Sequence, residues 1–245
     1  MEDASTQAIV LAAGLGSRLG TLTADRSKAL LELGERTLLQ RALDYAVALT
    51  ARDIIIVGGY RIEQLRAFVS PLRNPRIRLV DNPRYEAGNL LSVLAALPYV
   101  RAPFYLTNVD HVFSAAAVAR VTSAIGADIT AFCEFHRAPA LDEMKVSVDV
   151  NGGLVRISKA LAIFDGAYSG LTHVPQHRLA DYVRAAERTL AQEGDAAVAE
   201  QVLQALADGG TPVHTASLDG IAWCEIDTPF DLQRARAMVA SGDIQ

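Results

Sequence analysis

Cysteine is nearly absent from this chain of 245 residues, and no run of lysine or arginine occurs in it. Cys133 and Cys224 each sit inside a strand-like apolar run, AFCEF and AWCEI. Two cysteines make no disulfide framework, and their spacing matches no zinc pattern. They read as buried thiols in a reducing compartment. The formal net charge is -5. That balance argues against a nucleic-acid partner, since duplex binding rests on neutralising many phosphates. A small anionic ligand needs only a few local cations and stays open. No stretch approaches the ~20 apolar residues of a membrane span. The polar start MEDASTQ is followed by too short an apolar run for a signal peptide, so a cytoplasmic protein is expected.

What is present is ordinary globular composition, 51% hydrophobic and 21% charged, in a chain long enough to bury a substantial core. Near-continuous apolar runs at 8–14, 53–60, 77–80 and 104–110 read as strands buried on both faces of a parallel sheet. Residues 37–50, 89–100 and 114–126 have helical spacing between them. The first half is therefore β-α-β-α-β, with the right-handed crossovers of a doubly wound sheet. After residue 127 the texture changes. A strand at 127–135 leads to a hairpin over 145–158, turning at Asn151-Gly152-Gly153. Another strand (163–174), two helices (177–192 and 196–209), a last extended pair and a helix starting at Pro229 follow. With no linker or repeat, residues 1–245 read as one α/β domain. It carries a Rossmann-like, mostly parallel mixed sheet and an inserted hairpin. The nucleotide-binding half would cover about 8–126 and the acceptor-binding half about 127–245.

The stretch IVLAAGLGSRLG (9–20) places Gly14, Gly16 and Gly20 just after the first strand, where ligands bind in open α/β sheets. Glycines let backbone N–H groups approach a phosphate closely. The spacing is one residue too long for a dinucleotide loop, and the second strand ends in Gly58-Gly59-Tyr60 instead of an acidic residue. The Gly-Lys-Ser/Thr of a Walker loop is missing. Arg18 inside the loop and Lys28 beyond it supply a bidentate fork and a mobile point charge, which suit a triphosphate that loses pyrophosphate.

This LAAG-x-G-x-R loop with its following Lys-x-Leu resembles the signature of the nucleotidyltransferases that join a nucleoside triphosphate to a sugar phosphate or related ester. The resemblance runs through almost the whole chain. GNLLSVLAA (88–96) looks like the nucleobase-contacting segment, with Gly88, Asn89 and Ser92 at matching places. TNVDHVF carries Asp110 and WCEIDTPFDLQRA carries Asp227. DHVF, the DEMKVSV…GGLVRISKAL stretch and the C-terminal motif look closest to the inositol-1-phosphate cytidylyltransferases.

The resemblance implies attack of an acceptor phosphate on the α-phosphorus of CTP, releasing pyrophosphate. Both partners are anions, so positioning and charge neutralisation dominate. Magnesium prefers oxygen ligands, and Asp110 and Asp227 would hold it. Arg18 would take the β- and γ-phosphates and Lys28 the α-phosphate region. The backbone of Leu11, Ala12, Ala13, Gly14 and Gly16, with Gly88, Asn89 and Ser92, would bind the nucleotide. Lys145 and Lys159 would hold the acceptor's phosphate.

Two departures bear on the acceptor. Asp142-Glu143-Met144-Lys145 stands where the related enzymes carry Glu-Ala-Thr-Lys. Tyr168 stands where they have an aspartate, two residues before Gly170. Tyr168 in the acceptor pocket would suit a less hydroxylated or cationic headgroup, such as choline or ethanolamine. Phosphonate and hexose 1-phosphate acceptors, a molybdopterin cytidylyltransferase, a dehydrogenase and a non-catalytic nucleotide-binding regulator are the alternatives, and homo-oligomerisation stays open. His173 and His177 are separated by Pro175, which argues against a helical metal pair. Trp223 reads as core. His111 is expected to point away from the site, because neighbours on a strand face opposite ways.

Overall fold

The computed structural model describes residues 6–49, 51–140 and 142–244. The first five residues of the polar start, and Thr50 at the end of the first expected helix, lie outside them. β1 (Thr6–Ala12) leads into a loop with short 3-10 turns at Ser17–Leu22 and Lys28–Leu30, then a small ribbon of β2 (Glu32–Leu33) and β3 (Arg36–Thr37). The first half continues through α1 (Leu38–Ala48), β4 (Ala51–Gly58), α2 (Ile62–Val69), β5 (Ile77–Asp81) and α3 (Leu90–Ala96). It closes with β6 (Phe104–Asn108), β7 (His111–Phe113) and α4 (Ala115–Ala124). The second half holds β8 (Ile129–Glu134), β9 (Lys145–Val148), β10 (Leu154–Ser158), β11 (Gly166–Val174), α5 (Leu179–Glu193) and α6 (Glu200–Asp208). The chain ends with β12 (Val213–Ser217), β13 (Trp223–Glu225) and α7 (Pro229–Ser241).

Local chemistry starts the helices where the sequence directs. At α1 the Thr37 hydroxyl accepts from the Gln40 amide while the Gln40 side chain accepts from the Thr37 amide. At α7, Thr228 and Asp231 form the same reciprocal pair, and Pro229 occupies the first turn, where its missing N–H costs nothing. The hairpin of β9 and β10 is antiparallel, and Asp149 Oδ1 accepts from the Asn151 and Gly153 amides in its turn.

One continuous nine-stranded sheet carries both halves, in the order β10-β9-β11-β6-β1-β4-β5, with β8 joining β11 to β12. β1 lies between β4 and β6 and is parallel to both. It is covered on both faces, so Ala8 to Ala12 are all buried, as their unbroken hydrophobicity implies. β11 is the seam between the halves. It pairs antiparallel with β6, β8 and β9, and its register shifts between Tyr168 and Thr172. Cys133 and Cys224 are free and buried, as expected, and burial pushes both thiols up, Cys224 to about 11. No helix is long and apolar enough to cross a membrane among the described residues.

Three features depart from the sequence reading. The final extended segments do not pair with each other: β12 runs parallel to β8, while β13 pairs with β7 in a separate ribbon. Helix α2 and strand β7 have no counterpart in the expected elements, because each is too short for a clear periodicity. Gly88 faces packing, not the ligand cavity. A β-carbon there would meet the Ala197 carbonyl oxygen at 2.0 Å, so the residue must be glycine for the segment before α6 to lie against α3. Gly88→Ala is expected to lower stability by about 1–3 kcal/mol, the usual cost of overpacking. Urea unfolding measures it; an unchanged midpoint would contradict this packing role.

Candidate active site

The site forms beyond the carboxyl ends of β1 and β6. The loop after β1 turns at Gly16, whose φ of +64° suits glycine. A β-carbon at Gly16 would come within 3.1 Å of Lys28 Cβ and Thr23 Cγ2. The glycine therefore lets the Lys28 stem pass beneath the loop. Thr23 closes the turn from the other side, its hydroxyl donating to the Gly16 carbonyl at 2.8 Å.

Lys28 is buried, and its Nζ donates to Asp110 Oδ2 at 2.5 Å and to Asp227 Oδ1 at 2.6 Å. The carboxylates come from positions 82 and 199 residues away. The β7–β13 ribbon makes the meeting possible. Glu225 lies opposite His111 in it, and the Ile226 amide donates to the Asp110 carbonyl at 3.0 Å. Arg18 sits at the exposed mouth, with Nη2 donating to Asp227 Oδ2 at 2.5 Å and Nη1 to Asp142 Oδ2 at 3.0 Å. Exposed ion pairs of this kind contribute only about 0–1 kcal/mol, so a phosphate can take the guanidinium from Asp142 at small cost.

Burial alone would raise the Asp110 pKa and lower that of Lys28, but their mutual attraction outweighs it. Asp110 is held well below the usual carboxylate range by Lys28 and His111, and Lys28 is raised by both carboxylates. Glu225 goes the other way. Burial, together with repulsion from Asp110 and Asp227, pushes it up to about 7. It shares a hydrogen bond with Asp227, which stays depressed, so as pH falls Glu225 is the member of the pair that takes up a proton first.

These side chains line one cavity of about 460 Å³. Leu11, Ala12, Ala13, Gly14, Gly16, Asn89 and Ser92 line one side of it. Several of their polar groups are already engaged. The Leu11 and Ala13 carbonyls accept from the Val109 and Tyr60 amides, Asn89 Oδ1 accepts from the Ala199 amide, and the Ser92 hydroxyl accepts from Asn82 Nδ2. Lys159 and Tyr168 line the other side. Lys145 does not line the cavity. It is buried beneath it, with Nζ donating to the Lys159 carbonyl at 2.6 Å, so its visible role is to hold the chain that presents Lys159.

The expectation for His111 fails because Asp110 lies in a turn between β6 and β7, where strand alternation does not apply. His111 Nδ1 lies 2.9 Å from Asp110 Oδ1, and its ring stacks on Trp223 at 5.8 Å and 9°. Its Nε2 edge rests against Gly170, where a β-carbon would come within 2.4 Å and φ is +76°. Trp223 is partly exposed on the cavity wall, with the Arg137 guanidinium over its ring at 5.7 Å, not closed inside the core. Glu225 was missed although the pattern was available: Trp223, Glu225 and Asp227 alternate by two and all three line the cavity. His173 is buried in β11 against Tyr105, and His177 begins the next turn, so they form no metal pair.

Asp110, His111 and Glu225 offer ligand atoms all within 4.8 Å of one another, a group able to hold a cation. Asp227 is outside that triad and reaches Asp110 through Lys28. The oxygen donors Asp110, Glu225 and Asp227 fit the preference of magnesium, while the imidazole suits it less and is engaged with Asp110.

Residues 8–204 match the family described as the MobA-like NTP transferase domain. The chain belongs to that family. It is 32% identical over 236 residues, 95% of its length, to a protein of Rubrobacter xylanophilus named bifunctional IPC transferase and DIPP synthase. It is 29% identical over 242 residues, 94% of its length, to the CMP-5'-(3-aminopropyl)phosphonate synthase of Streptomyces rubellomurinus. The chain spans 51% of the first relative and 38% of the second. The inositol-1-phosphate CTP transferase of T. maritima has a similar fold, with a TM-score of 0.82, 22% identity, and coverage of 99% of this chain and 98% of that one. The nucleotidyltransferase fold expected from the sequence therefore stands.

Replacing Lys28 by methionine removes the cation between two partly buried carboxylates and should cost about 3–5 kcal/mol in the presence of a chelator. Urea unfolding without and with magnesium tests this. Part of the loss should return with the metal, and no loss would dismiss the bridge as a stabilising contact. The raised pKa of Glu225 means the folded state binds its proton more tightly than the unfolded chain. Stability should therefore decline as pH rises from about 5 to about 7 in chelator, and Glu225→Gln should flatten that decline.

Proposed function

We propose that the protein is a magnesium-dependent cytidylyltransferase that joins CTP to a small phosphate or phosphonate ester and releases pyrophosphate. The observation that carries this reading is the Lys28 ammonium held between Asp110 and Asp227 under a glycine loop that also presents Arg18. Cytidine, and inositol 1-phosphate as an acceptor, are supported by the likeness to the T. maritima enzyme. The likeness to the phosphonate synthase supports an aminoalkylphosphonate.

An oxygen of the acceptor's phosphate attacks the α-phosphorus; that O–P bond forms as the bond to the β-phosphate oxygen breaks. Pyrophosphate leaves on the side opposite the attacking oxygen. Bound magnesium would supply charge neutralisation at the phosphates, held by Asp110 and Asp227 with Glu225 alongside. Lys28 neutralises the charge that builds on the α-phosphoryl oxygens, and it needs no proton transfer to do so. Arg18 exchanges its contact with Asp142 for the β- and γ-phosphates and stabilises the leaving pyrophosphate. His111 fixes the orientation of Asp110 through Nδ1, while Gly170 and Trp223 fix the imidazole. The main-chain wall from Leu11 to Gly14 faces the base and ribose. Lys159, carried on the hairpin above Lys145, attracts the acceptor's phosphate.

Pyrophosphate release tests this, with CTP, UTP, ATP, GTP and dTTP crossed against inositol 1-phosphate, phosphocholine, phosphoethanolamine, 2-aminoethylphosphonate, glycerol 3-phosphate and hexose 1-phosphates. Turnover should require magnesium and favour CTP. Silence across the grid while CTP still binds would sink the enzymatic reading in favour of a nucleotide-binding regulator. Asp110→Asn should lower kcat by at least 10³-fold with the fold intact by circular dichroism, as expected for loss of metal-centred charge stabilisation. Arg18→Ala should raise the KM for CTP by roughly tenfold, about the loss of one charge-assisted contact; unchanged kinetics would remove its role.

A further inference from the structure

The acceptor side of the cavity contains a carboxylate with no counterpart in the chemistry described so far. Glu200 opens α6 and lines the cavity together with Lys159 and Tyr168. The chain that delivers it is fixed against the nucleotide side. The Gly88 amide donates to the Asp195 carbonyl at 2.7 Å, the Leu90 amide to the Ala197 carbonyl at 3.2 Å, and the Ala199 amide to Asn89 Oδ1 at 2.8 Å. The first turn of α6 is thus a rigid part of the wall.

Most carboxylates around this cavity already have a cation. Asp110 and Asp227 hold Lys28, Asp142 holds Arg18, and Glu143 holds Arg137. Among the described residues, no other side chain donates a hydrogen bond to the Glu200 carboxylate and no cation pairs with it directly. Burial raises its pKa; a hydrogen bond from its own backbone amide and the charges of His111 and Lys159 pull it down by less, and the Asp110 charge adds a smaller push upward. A first-turn glutamate gains about 0.3–1 kcal/mol from the helix dipole, but that gain does not require burial. Glu63 in the first turn of α2 receives the same benefit with its side chain 81% exposed. Turning Glu200 into the cavity costs desolvation that the helix alone does not repay.

Lys159 has no carboxylate within ion-pair distance among the described residues, so beside the paired Asp142 and Glu143 this side presents Lys159 and Glu200 as a cation and an anion not paired with each other or with other described side chains. Its third element, Tyr168, gives little to a polyol. The Tyr168 hydroxyl is buried in a 2.7 Å hydrogen bond with Thr172 Oγ1, which leaves its ring as an apolar wall. An acceptor that matches this wall carries negative charge at one end, a short apolar spacer, and a positive hydrogen-bond donor at the other.

We propose that Glu200 is the residue that reads the non-phosphate end of the acceptor, and that this end is a primary ammonium: the acceptor is a zwitterionic aminoalkyl phosphate or phosphonate. The proposal rests on the cytidylyltransferase reading above and narrows its acceptor. Lys159 takes the phosphate or phosphonate end and Glu200 takes the ammonium through a charge-assisted hydrogen bond, about twice as strong as the neutral bonds a polyol could offer. A trimethylammonium group brings the charge but no N–H donor, and falls between the two.

The test is pyrophosphate release with CTP and magnesium, comparing the wild-type protein with Glu200→Gln and Glu200→Ala. The acceptors are phosphoethanolamine, 2-aminoethylphosphonate, phosphocholine, inositol 1-phosphate and glycerol 3-phosphate. The wild type should prefer the two primary amines. Glu200→Gln, nearly isosteric, should lower the ratio of kcat/KM for amine over polyol acceptors at least tenfold. The change should lie in the acceptor KM and not in the KM for CTP. A wild-type preference for inositol 1-phosphate or glycerol 3-phosphate overturns the proposal without any variant, so it stays testable even if the substitutions unfold the chain. An equal loss for every acceptor also overturns it, because that is the signature of a structural glutamate. Wild-type silence with every acceptor refutes the underlying reaction, and an active enzyme with the wrong preference refutes only the assignment of Glu200.

Discussion

The ammonium of Lys28 suspended between Asp110 and Asp227 is the contact on which the arrangement of this site depends. Two carboxylates this close to one point repel each other in a partly desolvated cavity, and one cation makes their approach favourable. Each element around the bridge can be understood as what that meeting requires. Gly16 leaves room for the lysine stem, β1 and β6 end side by side so that their loops converge, and the β7–β13 ribbon returns the C-terminal segment to Asp110. His111 then locks Asp110 from behind, and Gly170 gives the imidazole its place.

The same arrangement explains why the protein half of phosphoryl chemistry is mostly preparation. In the proposed reaction a triphosphate and a phosphate ester repel each other, and the site offers fixed positive charge at the mouth and at the centre, with carboxylates able to hold a divalent ion. Glu225 is pushed up by burial while Asp110 and Asp227 are held down, so it is the carboxylate of the three that gains a proton most readily. Arg18 is held at the mouth by contacts weak enough to exchange, while Lys28 is held by contacts strong enough to stay.

Division of labour along the chain follows the sheet. Parallel pairing of β1 with β4 and β6 builds the proposed nucleotide side from short strand–loop units, so the residues lining it cluster in the first 110 positions. Beyond β6 the sheet becomes antiparallel around β11, and the hairpin of β9 and β10 brings Lys159 to the cavity edge. The proposed acceptor side is assembled from pieces that lie far apart in sequence, namely the 142–144 segment, Lys159, Tyr168, Glu200 and Trp223.

The sequence by itself determined β1, β4, β5 and β6 with α1, α3 and α4 in the first half, the hairpin, the glycine loop with Arg18 and Lys28, and the two aspartates. Apolar runs, cap residues and turn residues are local signals, and they are written in consecutive letters. Only the tertiary structure decided that Glu225 and His111 gather with Asp110 in one cluster, that Trp223 walls the cavity, that Gly88 serves packing, and that Lys145 supports Lys159 from below. It also decided that Glu200 lines the same cavity with no cation paired to it among the described residues. Those roles depend on the register of β7 against β13, the shift in β11 and the docking of the segment before α6 onto α3. Each is set by long-range packing and hydrogen bonds between segments with no local signature of their meeting.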